Sequence, residues 1–226
     1  MSIIAYFLGK VNYKTAYAIQ KNLVDLSLTV SSHRKINTIL LLEHYPVYTV
    51  GIRNRDSIIE YTEDYIKYLE LRGAEFVKTD RGGLVTFHGP GQLVVYPILN
   101  LKSPGFKNSI KWYVETLEET IIDTCSTFGL ETKRTTDVGI WVSELRKIAS
   151  IGIHNRNSIT YHGMALNCDI DLNWFNHIVS CGLVGKTMTS LSVELNQQIS
   201  TSDAATNFLK CFENRFGKTV NLIDLS

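Results

Sequence analysis

Proline, cysteine and net charge are all scarce in this sequence. Only 4 of the 226 residues are proline and 4 are cysteine, and 23 basic against 22 acidic residues leave a formal charge of +1 at pH 7. A chain so evenly balanced has no overall attraction to nucleic acid or to an anionic membrane. Its apolar runs also stay short of the roughly 18 to 20 residues that span a bilayer. We therefore expect a soluble globular protein that binds neither nucleic acid nor membrane.

The cysteines are too far apart for a disulfide framework, and none belongs to a Cys-x-x-Cys pair. Such usage is typical of a reducing compartment. His177 and Cys181 do have the i, i+4 spacing of metal ligands on a helix. Further ligands would have to come from His162 or Cys168. Because Cys181 lies beyond the expected end of that helix, we expect no metal.

Turn signals and hydrophobic periodicity predict one α+β domain over residues 1–226. The expected fold is a mixed sheet packed with helices, plus a smaller antiparallel sheet, because no repeat or linker divides the chain. An antiparallel meander is expected over residues 138–168, where three short apolar segments follow one another. The periodicity predicts further strands at Ile3–Leu8, Thr38–Leu42, Ala74–Thr79 and Gln92–Leu101, and helices from Asn12, over Thr62–Leu71, over Ile110–Phe128 and through Ala205–Phe216.

The N-terminal segment has two interpretations. The first 24 residues contain no Asp or Glu and carry three lysines, as an organelle presequence does. A strand at Ile3–Leu8 followed by an N-cap at Asn12 favours the alternative, in which these residues belong to the fold itself.

Residues 81–92 form a glycine-rich run, Arg-Gly-Gly-Leu-Val-Thr-Phe-His-Gly-Pro-Gly-Gln, between two apolar segments. Glycines let backbone N–H groups approach a bound group and supply turns with positive φ, so the run predicts a ligand-binding loop. The alternative is a hairpin connection with incidental polar residues. Nucleotide fingerprints are missing, since no Gly-Lys-Ser/Thr follows and position 94 is valine where Gly-x-Gly-x-x-Gly needs glycine.

Two residues of the second half are candidates for covalent chemistry. Cys181 stands in Ser180-Cys181-Gly182, where an exposed thiol would have a glycine N–H close to a developing oxyanion; the alternative is a buried structural cysteine. Strand alternation places Lys147 on the apolar face of Ala149, Ile151 and Ile153. A lysine there can accept a proton or hold a thiolate, unless its side chain extends along the surface to water.

Several motifs together resemble the lipoyl(octanoyl) transferase family. The likeness spans roughly Leu42 to Leu195 and is closest to the mitochondrial branch, although Ser180 stands where the family usually has proline. The motifs are the run 81–93 with Tyr96-Pro97-Ile98, then Lys147-Ile-Ala-Ser-Ile-Gly152, His162-Gly-Met-Ala-Leu-Asn167, Asp171-Leu172, Phe175, Ile178, Cys181-Gly182 and Thr189-Ser-Leu191.

The resemblance implies the catalytic-domain fold of biotin and lipoate protein ligases, and a mitochondrial matrix enzyme (cytoplasmic if bacterial). It implies transfer of octanoyl from acyl carrier protein to a lysine of lipoyl domains, such as glycine cleavage H protein and 2-oxoacid dehydrogenase E2 subunits. Cys181 would be the acyl-accepting nucleophile and Lys147 the residue that favours its thiolate, with no ATP, metal or redox cofactor. The resemblance places the acyl substrate against Arg81, Gly82, Gly83, Leu84, Val85, Thr86, Phe87, His88, Ser150, Ile151, Gly152, Gly163, Met164 and Ala165.

Three alternatives stay open at the level of sequence. An ATP-dependent lipoate or biotin protein ligase would use the glycine run to hold an acyl-adenylate and would need no thiol. A cysteine hydrolase would pair Cys181 with His88 or His162 as base. A non-catalytic module that binds lipoyl domains would need neither Lys147 nor Cys181.

Overall fold

The structure is a computed structural model that describes residues 2–29, 37–52, 61–178 and 185–226. Eleven strands and five α-helices lie within these ranges, together with a 3-10 helix at Leu172–His177. The helices are α1 Tyr13–Thr29, α2 Glu63–Glu70, α3 Ile110–Thr127, α4 Leu191–Leu195 and α5 Thr201–Phe216. The strands are β1 Ile3–Val11, β2 Thr38–His44, β3 Val47–Val50, β4 Glu75–Lys78, β5 Val85–His88, β6 Gln92–Ile98, β7 Ile140–Trp141, β8 Arg146–Arg156, β9 Ile159–Asn167, β10 Thr187–Met188 and β11 Val220–Asp224.

A large mixed sheet forms the centre of the fold. Its strand order is β10-β8-β9-β6-β2-β1-β11, and β7 pairs with β8 outside this path. Both faces are covered, because alternate side chains of a strand point to opposite sides. Leu41 joins the core under α3 and α5, whereas Leu40 and Leu42 join the core under α1. The α+β prediction is therefore confirmed.

The smaller sheet has the order β4-β3-β5 and is mixed, which corrects the expectation that it is antiparallel. Strand β5 runs antiparallel to β3, but β4 runs parallel to it. Parallel neighbours need a crossover connection, and the chain between β3 and β4 includes α2. Phe87 of β5 and Tyr48 of β3 pack with Phe175 of the 3-10 helix in a separate cluster.

Most predicted elements are present, with small changes at their ends. The meander of residues 138–168 is confirmed, since β7, β8 and β9 pair antiparallel in sequence order. The N-terminal segment forms β1 and α1, so its interpretation as part of the fold is confirmed. The expectation of one loop over residues 81–92 was wrong, because the middle of the run pairs with β3 as strand β5. Among the described helices, none is long and apolar enough to cross a bilayer.

Candidate active site

A cavity of about 170 Å³ lies over β8 and β9, beneath the glycine-rich run. Side chains from both halves of the sequence meet here, because β9 lies between β6 and β8 in the large sheet. The lining residues are Tyr13, Arg81, Gly83, Leu84, Thr86, His88, Tyr96, Thr136, Asp137, Val138, Lys147, Ser150, Ile151, Gly152, His162, Gly163, Met164 and Ala165.

The start of the glycine-rich run is fixed against β3 and β8. The buried Arg81 guanidinium donates to the backbone oxygen of Thr49 at 2.6 Å and to the Thr49 hydroxyl at 2.8 Å. The Gly82 N–H donates to the oxygen of Ile153 at 2.9 Å. A Cβ at Gly152 would lie 2.8 Å from the Gly82 oxygen, closer than real Cβ atoms come to a neighbour. Glycine at position 152 therefore allows the run to lie directly on β8.

Lys147 is buried at the start of β8 and lines the cavity. Its Nζ donates to the oxygen of Val138 at 2.7 Å and lies 5.4 Å from the centre of the Trp141 ring. The expected face was wrong for Ala149, which packs into the main core together with Ile148, whereas Lys147, Ser150 and Ile151 line the cavity. The cause is a shift in the β7–β8 register between Ile140 and Trp141, since a bulge reverses the alternation of side chains.

The structure brings most of the other predicted binding residues to the same cavity. Arg81, Gly83, Leu84, Thr86 and His88 line it from the glycine-rich run, and residues 150–152 and 163–165 line it from β8 and β9. Phe87 points to the opposite side of β5, where its ring stacks on Trp174 at 4.9 Å between centroids. Gly82 and Val85 are likewise not among the described cavity residues. Cys181 lies outside the described residues.

A hydrogen-bonded chain leads from the cavity to the strand next to Lys147. The Thr189 backbone oxygen can only accept, so the Asn167 amide nitrogen donates to it at 2.8 Å. The remaining Asn167 oxygen then accepts from the Gln92 amide nitrogen at 2.8 Å, which leaves the Gln92 oxygen to accept from His88 Nδ1 at 2.7 Å. His88 is therefore the Nδ1–H tautomer, with Nε2 as an acceptor. Burial holds the pKa of His88 well below its usual value, so the ring is neutral.

Asp80 and His162 form a second polar group. No pattern in the sequence indicated that these two residues meet. The His162 Nε2–H donates to one Asp80 carboxylate oxygen at 2.7 Å, and the Tyr161 hydroxyl donates to the other at 2.6 Å. Burial alone would raise the pKa of Asp80, but hydrogen bonds from His162 and Tyr161 hold it below its usual value. Burial lowers the pKa of His162. An ionised carboxylate therefore orients a neutral imidazole.

Buried His44 makes stability depend on pH. Its Nδ1–H donates to the Val11 oxygen at 2.8 Å, its Nε2 accepts from the Tyr96 hydroxyl at 2.7 Å, and burial lowers its pKa to about 4. Between about pH 4 and pH 6.5 the unfolded chain binds a proton at this residue and the folded chain does not. We expect the free energy of unfolding from urea titration to be about 2 kcal/mol lower at pH 5 than at pH 7 through His44 alone. A His44→Gln variant should lose correspondingly less between these pH values, and an equal loss would contradict the assignment.

The described residues that the metal alternative needs make other contacts. His177 Nδ1 lies 3.3 Å from the Tyr68 hydroxyl, and the Cys168 thiol contacts the Leu166 oxygen at 3.6 Å. His162 is held by Asp80, as described above. No group of three or more His, Cys, Asp or Glu residues in the described ranges is placed to hold a metal ion.

Comparisons with known proteins define the class and then the family. A structure of lipoate-protein ligase A bound with ATP has a TM-score of 0.79 at 12% identity, covering 100% of this chain and 90% of that one. Biotin protein ligase from Aquifex aeolicus has a TM-score of 0.51 at 11% identity, covering 96% of this chain and 70% of that one. The expected ligase-type fold is therefore confirmed.

The family model for the lipoyl protein ligase A/B catalytic domain matches residues 12–213. The mitochondrial octanoyl-[acyl-carrier-protein]:protein N-octanoyltransferase of Danio rerio is 45% identical over 219 residues, which cover 97% of this chain and 94% of the fish protein. The chain belongs to the lipoyl protein ligase A/B catalytic domain family.

Proposed function

We propose that this chain is an octanoyltransferase that carries the acyl group on Cys181 between two carrier proteins. Octanoyl transfer is the activity named for the fish relative, which matches the chain over nearly its whole length. The route through a thioester is supported chiefly by one observation: a lysine, Lys147, is buried in the wall of the cavity beside the predicted acyl-binding segments. A buried cation stabilises a thiolate and can exchange a proton with it.

The first half-reaction forms the acyl-enzyme. The Cys181 thiolate, favoured by Lys147, attacks the carbonyl carbon of the octanoyl thioester on acyl carrier protein. Backbone N–H groups stabilise the tetrahedral oxyanion. The bond from the carbonyl carbon to the carrier sulfur then breaks, and the departing carrier thiolate takes a proton from the Lys147 ammonium, which becomes a neutral amine. Octanoyl is left on Cys181 as a thioester.

The second half-reaction forms the amide. The amine of the acceptor lysine attacks the Cys181 thioester, and the bond from the carbonyl carbon to Sγ breaks. The amine loses one proton to the neutral Lys147 amine, which becomes the ammonium again and stabilises the released Cys181 thiolate. Because the donor is already a thioester, the balance needs no ATP, metal or redox cofactor. The acceptors we propose are lipoyl domains, such as those of glycine cleavage H protein and 2-oxoacid dehydrogenase E2 subunits, in the mitochondrial matrix.

The test is acyl transfer in the absence of ATP. Incubation with octanoyl acyl carrier protein alone should give a protein heavier by one octanoyl group, and a lipoyl domain added afterwards should take that group over, both followed by intact mass spectrometry. Because the two carrier proteins react in turn with one thiol, we expect ping-pong kinetics, with parallel lines in double-reciprocal plots. Strict dependence on ATP with free octanoic acid would instead favour a lipoate or biotin protein ligase.

A binding module without catalytic activity is the remaining alternative. It would retain lipoyl domains on the protein without changing their mass. Recovery of an unmodified lipoyl domain in a stable complex, with the donor carrier protein still acylated, would support that alternative and contradict the transferase.

A further inference from the structure

Two buried amides, Gln92 and Asn167, connect the cavity to the strand that carries Lys147. Gln92 is 2% exposed and Asn167 is 0% exposed, and neither is among the described cavity residues. Their side chains form the middle of the hydrogen-bonded chain from His88 to the Thr189 backbone oxygen. The Thr189 N–H in turn donates to the Lys147 oxygen at 2.8 Å. The cavity wall and the strand of Lys147 are therefore joined by four consecutive hydrogen bonds.

The direction of this chain is fixed at its Thr189 end. A backbone oxygen can only accept, whereas a side-chain amide has a donor on one side and an acceptor on the other. Asn167 must therefore turn its NH2 group to Thr189, and Gln92 must turn its NH2 group to Asn167. Gln92 then presents only its oxygen to the imidazole of His88. The proton of His88 is held on Nδ1 by an acceptor that lies two side chains away.

The other nitrogen of His88, Nε2, is an acceptor in the wall of the cavity. It makes no hydrogen bond with another described residue, and it is not among the fully buried polar atoms that lack a partner. Since His88 lines the cavity, this nitrogen is open to the cavity. Its lone pair can accept an N–H or an O–H group. The attacking lysine of the acceptor protein brings such an N–H, whereas an octanoyl chain brings none.

The opposite end of the chain holds the segment that follows Cys181. Thr189 stands eight residues after Cys181 in the sequence and directly after β10, whose Met188 pairs with Lys147. Both backbone groups of Thr189 are engaged, because its oxygen accepts from Asn167 and its N–H donates to the Lys147 oxygen. The amide of Asn167 therefore fixes the point where this segment meets the strand of Lys147.

We propose that Gln92 and Asn167 are positioning residues for the acyl transfer: they present His88 to the cavity as a neutral hydrogen-bond acceptor and hold Thr189 against the strand of Lys147. This inference deepens the proposed function and depends on it. Loss of either amide interrupts the chain, so that the tautomer of His88 and the place of Thr189 are no longer set together.

The first test is the tautomer of His88, measured at pH 7 by ¹⁵N NMR on protein with labelled histidine and assigned by the signal lost in His88→Gln. The wild-type protein should show a protonated Nδ1 and an unprotonated Nε2. In Asn167→Leu the Gln92 NH2 group keeps only a long contact, 3.4 Å to the Phe87 oxygen, and can turn toward His88. We therefore expect the Nε2–H tautomer to appear in that variant. An Nε2–H tautomer or an imidazolium in the wild-type protein, or an unchanged tautomer in Asn167→Leu, would overturn the proposal.

The second test is a double-mutant cycle on kcat/KM for octanoyl transfer to a lipoyl domain. Gln92→Met and Asn167→Leu each replace an amide by an apolar side chain of similar shape. Each should lower kcat/KM about ten-fold, the effect of a lost buried hydrogen bond. Because both amides act through one chain, the double variant should lose little more than the larger single loss. Losses that multiply to about a hundred-fold would mean independent effects and would overturn the proposal.

Asn37→Leu is the matched control. Asn37 is 4% exposed, and its side-chain oxygen accepts from the Asn100 N–H at 2.8 Å, but Asn37 is not among the described cavity residues. This variant loses a buried amide next to the same large sheet without touching the chain. It should keep the tautomer of His88 and the wild-type kcat/KM of the folded protein. A changed tautomer or a ten-fold loss in this variant would show a general effect of lost amides and contradict the assignment.

The wild-type tautomer decides even where a variant fails to fold, because its measurement needs no variant of the chain and no substrate. Octanoyl transfer by a wild-type protein whose His88 is not the Nδ1–H tautomer would overturn this inference alone. If the wild-type protein transfers no octanoyl, the proposed function is wrong and the positioning role falls with it, so the two failures are distinguishable.

Discussion

Replacing Cys181 with alanine should abolish the octanoyl adduct and reduce acyl transfer to background. Without the thiol there is no nucleophile to form the acyl-enzyme, and the donor thioester persists. Intact mass spectrometry after incubation with octanoyl acyl carrier protein measures the adduct directly, and peptide mapping of the wild-type protein should locate it on Cys181. An adduct of octanoyl mass on the Cys181→Ala variant would contradict the assignment.

The other cysteines provide the control. Burial raises the pKa of Cys125 to about 12, and burial also raises the pKa of Cys168 and Cys211. These thiols stay protonated at neutral pH and are poor nucleophiles. Cys211→Ala, at a buried position of α5, should therefore form the adduct at the wild-type rate. Loss of the adduct in that variant as well would mean that Cys181→Ala acts through stability and not through the nucleophile.

Local sequence was sufficient for the elements whose periodicity is strong. In α3 the signal is a stripe of apolar residues at helical spacing. In β2, β8 and β9 it is a short segment rich in β-branched residues. Strand β11 carries none, because four of its five residues are exposed and its partner β1 lies more than 200 residues earlier. Strand β10 has only two residues. Pairing with distant strands, and not local preference, defines such elements.

The sequence predicted which segments line the site, but not which side of its strand Lys147 occupies. Motif resemblance named the segments that line the cavity, including Arg81, Lys147 and Gly163. The face of Lys147 depends on a bulge against β7, which no pattern within β8 reveals. Asp80 and His162 stand 82 positions apart and meet only because β9 lies beside the segment after β4. The pairing of Asp80 with His162 could therefore be found only in the structure.

Lys147→Met should lower kcat/KM for octanoyl transfer by about 10²- to 10⁴-fold, the range typical of a lost acid–base group. Methionine is apolar and flexible, so it fills the buried space while removing the charge and the exchangeable proton. Lys186→Met is the matched control, since Lys186 lies over the same Trp141 ring at 4.6 Å and pairs with Asp137 but is not among the described cavity residues. That variant should stay within a few-fold of wild type. Equal losses in both variants would attribute the effect to the surroundings of Trp141.

Lys147→Arg separates the two functions proposed for the lysine. A guanidinium stays protonated at any working pH, so it can stabilise the Cys181 thiolate but cannot receive a proton from the attacking amine. We therefore expect the acyl-enzyme to form and accumulate, with transfer to the lipoyl domain slowed about 10²-fold or more. Rapid-quench mass spectrometry resolves the two half-reactions. Wild-type rates in both would exclude Lys147 from proton transfer, and failure to form the adduct in a variant that keeps its thermal unfolding midpoint would show that the first half-reaction itself requires the lysine.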